Sequence, residues 1–191
     1  MNPRLPARQR RAAQQGLTLA ELLVAVAILA ILSLLMVSSF QQRMKDQALQ
    51  SAASATAEWL AGIRKRAMQQ DLACTIAILP SSNSLEAASS NLCGSFPALD
   101  IRSVATGSAT VNFCYRNTDP IQAAGATTAC SSGTTNSTTN LTFSPRGTNQ
   151  INAVLEFYAG SDQAKTCTVV IQPNGIIRYG TINSGFCQSS T

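Results

Sequence analysis

Gly16-Leu17-Thr18-Leu19-Ala20-Glu21-Leu22-Leu23 is the stretch on which the reading of this chain turns. It sets one carboxylate, Glu21, directly before a sixteen-residue apolar run, LLVAVAILAILSLLMV at 22–37, broken only by Ser33. From Leu22 to Gln42 there are 21 residues without a charge, long enough for a helix to span a bilayer. Arg4, Arg8, Arg10 and Arg11 precede it, so the amino terminus stays cytoplasmic and the C-terminal bulk lies outside. A secretory signal would have a shorter apolar core followed by a small-residue cleavage site, and Ser38-Ser39-Phe40 makes a poor one. An acid is costly inside a membrane and less so near its interface, so a plain anchor has no use for Glu21.

The 191 residues suffice for one modest domain plus an extension. Charged residues make up only 12% of them, and histidine is absent. That removes His-based acid–base catalysis, Ser-His-Asp and Cys-His arrangements, and imidazole-bound zinc. The net charge of +5 is concentrated in the four leading arginines; ten basic side chains remain, against nine acidic ones. Such a balance does not describe a strongly basic nucleic-acid-binding domain.

Cys74, Cys93, Cys114, Cys130, Cys167 and Cys187 are spaced by 19, 21, 16, 37 and 20 residues, with no C-x-x-C pair. Zinc ribbons, thioredoxin-like sites and iron–sulfur runs need closer spacing. An even count in a small domain favours disulfides in an oxidising compartment. Six cysteines allow about 15 connectivities; pairing near in sequence is expected, Cys74 with Cys93, Cys114 with Cys130, and Cys167 with Cys187.

Residues 16–23 resemble the processing site of type IV prepilins and type II secretion pseudopilins, whose usual form is glycine, phenylalanine, threonine, leucine, isoleucine, glutamate and an apolar helix. Leu17 and Ala20 depart from it, and Gln15 stands where a basic residue is common, but Gly16 and Glu21 are kept. The resemblance implies cleavage between Gly16 and Leu17 by a prepilin peptidase, then N-methylation of Leu17. Glycine suits a tight protease site because it has no side chain. Cleavage leaves a positive amine on Leu17, which Glu21 of a neighbouring subunit can pair, setting axial register.

Beyond the apolar run, Phe40, Met44, Ala48, Ala52, Ala55, Trp59, Ile63 and Ala67 recur at steps of three and four. This spacing predicts one long helix from Glu21 to about Met68, apolar all round at first and then amphipathic. Arg64-Lys65-Arg66 reads as its solvated face. After Cys74 the pattern turns toward period two, with strands expected at 73–79, 110–116, 140–144, 153–158, 166–172 and 176–179. Residues 125–140 read as a loop, with sequons at Asn136 and Asn140. Pro145-Arg146-Gly147 and Pro173-Asn174-Gly175 are turn signals, the second predicting a hairpin. The expected fold is α+β, and the resemblance implies a type IV pilin-like fold, with the helix packed on an antiparallel β-sheet domain. Its expected parts are a cleaved leader 1–16, a helix 17–72 whose 17–39 forms the membrane or filament core, and a β-rich head 73–191.

The tail, with Leu141-Thr142-Phe143-Ser144-Pro145-Arg146-Gly147, Cys167-Thr168-Val169-Val170-Ile171 and Gly175-Ile176-Ile177-Arg178, resembles minor pilins and pseudopilins of the FimT/FimU/GspH type. That implies a non-catalytic subunit of a type IV pilus, near its tip, without cofactor or metal. Its partners would be other pilins or pseudopilins through the helix, the prepilin peptidase, and the inner membrane before assembly into a filament. A pseudopilus subunit of type II secretion is the alternative. A third is a DNA-binding minor pilin, since two closely spaced arginines can clamp phosphates. Ile176 stands where the family commonly has the first of these, leaving Arg178 with Arg146 and Lys165.

Overall fold

The structure, a computed structural model, describes residues 18–88, 93, 96–107, 109–117, 130, 138–183 and 186–189. Of residues 34–39 and 189 it describes the backbone alone. Gly16, Leu17, the leader, Asn136 and most of the expected 125–140 loop lie outside this set. The chain divides into two units, Met1–Phe40 and Gln41–Thr191.

Helix α1 runs Leu19–Gln70, 52 residues, without interruption at Ser38-Ser39. In the first unit its described side chains are all exposed, Leu22, Ile28 and Ile31 among them. Among the described residues, no helix is long and apolar enough to cross a membrane. The helix ends where Asp71 takes a left-handed conformation at φ 52°, and Leu72 N–H closes back onto the Ala67 carbonyl at 3.2 Å. This is the bond of a Schellman cap, and aspartate is one of the few residues that tolerate the conformation.

In the second unit α1 buries Ala48, Leu49, Ala52, Ala53, Trp59, Leu60, Ile63 and Ala67. The stripe thus begins at Ala48. Phe40, expected on it, is 65% exposed and belongs to the first unit.

The expected antiparallel β-sheet domain is present and consists of two sheets. The first joins β1 (Cys74–Leu79), β2 (Ser84–Ala87), β3 (Leu99–Asp100) and β5 (Thr139–Phe143) in the order β3-β2-β1-β5. The second joins β4 (Val111–Arg116), β6 (Ala153–Ala159), β7 (Thr166–Ile171), β8 (Ile176–Asn183) and β9 (Phe186–Ser189) in the order β4-β6-β7-β8-β9. A short helix, α2 (Ile101–Val104), leads from β3 toward β4 and is capped by Asp100, whose carboxylate accepts from Arg102 N–H. The chain leaves the first sheet at β3, enters the second at β4, and returns with β5 to pair β1. Side chains, rather than a ladder, join the two at Asn83, which is buried with φ 54°. Its Oδ1 accepts from Phe113 N–H at 3.1 Å, and its Nδ2 donates to Asn112 Oδ1 at 2.6 Å.

All seven residues of β6 are buried, because both faces are covered. Ala153, Leu155, Phe157 and Ala159 join the core under α1, while Tyr158 packs with Cys114, Cys130 and Ala164 on the other side. Period-two reasoning finds such a strand but misjudges its exposure. The bonded cysteines are Cys74–Cys93, Cys114–Cys130 and Cys167–Cys187, with no free cysteine among the described residues.

The helix meets β7 through two hydroxyls. Thr166 Oγ1 donates to the Leu49 carbonyl at 3.2 Å and Thr168 Oγ1 to the Ala53 carbonyl at 2.8 Å. Four helical residues rise about 6 Å and two strand residues about 6.8 Å, so the two spacings match. Ala52 and Ala53 keep this approach close. Replacing Thr168 by Val preserves volume and deletes one bond whose acceptor is already used within the helix. It should cost about 1 kcal/mol of stability, read from urea unfolding of the full chain.

Candidate functional site

At the start of α1, Thr18 and Glu21 bind each other reciprocally. Thr18 N–H and Oγ1 both donate to Glu21 Oε2, at 2.9 and 3.0 Å. Glu21 N–H donates back to Thr18 Oγ1 at 3.3 Å. With Leu19 as the first helical residue, Thr18 is the cap and Glu21 the third position: a capping box, which satisfies two of the amide donors a helix start leaves unpaired. The signal Thr18-x-x-Glu21 before an apolar run was present in the sequence but is masked there by the processing-site reading. Glu21 Oε1 has no partner among the described residues. Glu21 also sits with Ala20, Val24, Ala25 and Ile28 along a concave strip of the helix. The arrangement presents a carboxylate oxygen beside exposed apolar side chains.

The tail groups fall into two places. Gly175, at φ 62°, lies so close to Gly147 that a Cβ there would collide with the Gly147 carbonyl oxygen. That approach puts the turns carrying Arg146 and Asn174 side by side. Arg146 is exposed there, and Arg178, three residues beyond Gly175, is exposed on β8. Lys165 is elsewhere: its carbonyl accepts from Ile182 N–H, four positions from Arg178 and so about 13 Å along the strand. It is also engaged, with Nζ 3.4 Å from Asp46 Oδ1. The three basic residues therefore form no single cluster.

The expected solvated face of α1 is largely occupied. Arg64 Nε donates to the Gly147 carbonyl at 2.8 Å and Nη2 to the Asn174 carbonyl at 3.1 Å, so one guanidinium ties both turns to the helix. Arg66 lies over the Phe96 ring at 5.8 Å, and that ring meets Trp59 edge-on at 5.6 Å. Only Lys65 of the triplet is exposed. A planar five-donor fork suits this bridging, and sequence alone could not show that two distant turns would converge on it.

Glu156, buried on β6, is a third group that the sequence reading missed. Its Oε2 accepts from Arg116 Nη2 at 2.8 Å and from Cys130 N–H at 3.1 Å. The Cys130 carbonyl in turn accepts from Ala164 N–H at 2.9 Å. Cys114, Cys130 and Glu156 stand within metal-ligand reach of one another. The two sulfurs are bonded together, so the site offers no thiolate, and its chemistry is that of a buried ion pair seating a disulfide.

Residues 11–37 match the family described as the prokaryotic N-terminal methylation motif. The capping box, Thr18 to Glu21, lies inside the matched residues. Among solved structures the chain is similar to the type IV minor pilin FimU of Pseudomonas aeruginosa, at 18% identity and a TM-score of 0.43, covering 74% of this chain and 93% of that one. No curated protein sequence matches the chain.

The ion pairs of the head should differ in weight. Glu156→Ala removes the buried carboxylate that Arg116 Nη2 and the Cys130 amide share and should cost about 3 kcal/mol. Lys165→Ala removes an exposed pair and should cost about 0.5 kcal/mol. Urea unfolding of both variants decides the order; equal losses would mean that Glu156 is better solvated than its burial implies.

Proposed function

We propose that this chain is a minor pilin, a non-catalytic subunit of a type IV pilus that helps prime assembly near the tip. The methylation motif carries this reading. The leader 1–16 directs the precursor to the inner membrane, residues 17–39 hold it there, and the β-rich head lies on the periplasmic side. A prepilin peptidase cuts between Gly16 and Leu17, and Leu17 is then methylated on its new amine.

The capping box supplies a mechanism for Glu21. Before assembly, Thr18 donates to one carboxylate oxygen, which keeps the charge compensated within its own helix. The second oxygen accepts the charged Leu17 amine of a neighbouring subunit when the exposed helices bundle. An uncompensated charge in that bundle is costly, so only the register that pairs it is stable. Apolar side chains such as Leu22 and Ile31, exposed in the isolated chain, become buried in the same step.

Mass spectrometry of sheared surface filaments tests this directly. We expect a peptide beginning at N-methylated Leu17. Recovery of the processed form only from membranes would favour a type II secretion pseudopilus, and an uncut chain retaining Met1 would end the pilin reading. Gly16→Leu should accumulate uncut precursor, because a side chain blocks the tight cleavage site. Glu21→Ala should be cut normally and yet be missing from filaments; its incorporation at wild-type levels would remove Glu21 from assembly.

A further inference from the structure

Pro173-Asn174-Gly175 holds the single Asn-Gly pair of the chain. Asn174 is exposed, and the glycine that follows it offers an attacking backbone nitrogen with no side chain to shield it. The structure adds an unusual restraint, since the carbonyl of that same Asn174–Gly175 peptide is bound by Arg64 Nη2.

We propose that Asn174 is a site of spontaneous deamidation, with water as the only co-reactant, and that Arg64 sets its rate. In the reaction the Gly175 amide nitrogen attacks Asn174 Cγ. The N–Cγ bond forms, the amide proton passes through water to the departing nitrogen, and ammonia leaves. Water then opens the cyclic imide at either carbonyl, giving aspartate or isoaspartate, with no change of oxidation state. Attack requires rotation about the Asn174 Cα–C bond to bring the nitrogen toward Cγ. The peptide is planar, so the carbonyl oxygen must swing with it. Arg64 holds that oxygen while its Nε holds the Gly147 carbonyl, and Gly175 is packed against the same Gly147. A guanidinium on the carbonyl also acidifies the attacking N–H, which favours reaction. The restraint prevails, because fixing the carbonyl oxygen slows the rotation on which the attack depends.

Either product acts back on the clamp. Aspartate places a carboxylate in the turn bound by Arg64, a charge-assisted partner where a neutral amide stood. Isoaspartate inserts a carbon into the main chain of a turn whose fit against Gly147 leaves no room for a Cβ.

The test follows Asn174 by peptide mass spectrometry in the full-length protein, wild type and Arg64→Gln, held in mildly alkaline buffer. Asn83-Ser84 is the internal control: Asn83 is buried and should be lost only if the chain unfolds. We expect Arg64→Gln to deamidate at Asn174 severalfold faster than wild type, with Asn83 intact in both. Equal Asn174 rates in the two proteins would overturn the role of Arg64. Asn174 surviving as long as Asn83 in the variant would overturn the site itself. Should Asn83 also be lost, Arg64→Gln has unfolded, and Arg64→Lys, which keeps the charge without the fork, is read by the same criteria.

Discussion

The contact between the second half of α1 and β7 is the constraint from which the rest of the head follows. Thr166 and Thr168 bind carbonyls four residues apart on the helix, and Ala48, Ala52 and Ala53 keep the helix surface low enough for that approach. With the helix fixed along β7, β6 beside it takes the full weight of the core, and Leu155 and Phe157 are buried completely. The larger Trp59, Leu60 and Ile63 then fill the space further along, where the first sheet and Phe96 meet the helix.

Much of this was legible. A long helix, its buried stripe from Ala48 to Ala67, six strands and the β7–β8 hairpin follow from periodicity and turn chemistry alone. The strands that escaped notice are short or polar: Ser84–Ala87, Leu99–Asp100 and Phe186–Ser189 carry too few alternating apolar residues to register. The division into two sheets was not readable either. The two sheets are joined through a single buried amide, Asn83, in a left-handed turn, and no pattern in the neighbouring residues marks that role. The motif at Glu21 was plain in the sequence, yet its reciprocal bonding with Thr18 emerged only from geometry.

Arg64 shows how a charge triplet can mislead. Three consecutive basic residues on a helix point in three directions about 100° apart, as 3.6 residues per turn dictates. One of them can be structural while its neighbour is solvated, and here Arg64 is bonded to two turns while Lys65 faces water. Charge density along the sequence is thus a poor measure of charge density on the surface.

The three disulfides close loops with sequence separations of 19, 16 and 20, one after another along the chain. None encloses or crosses another. As the chain emerges from its amino terminus, each second cysteine arrives before the next first one, so the nearest thiol is always the correct partner. Oxidation in order of appearance yields the native connectivity without reshuffling, and the linkage pattern is one that a vectorially delivered chain can reach without error.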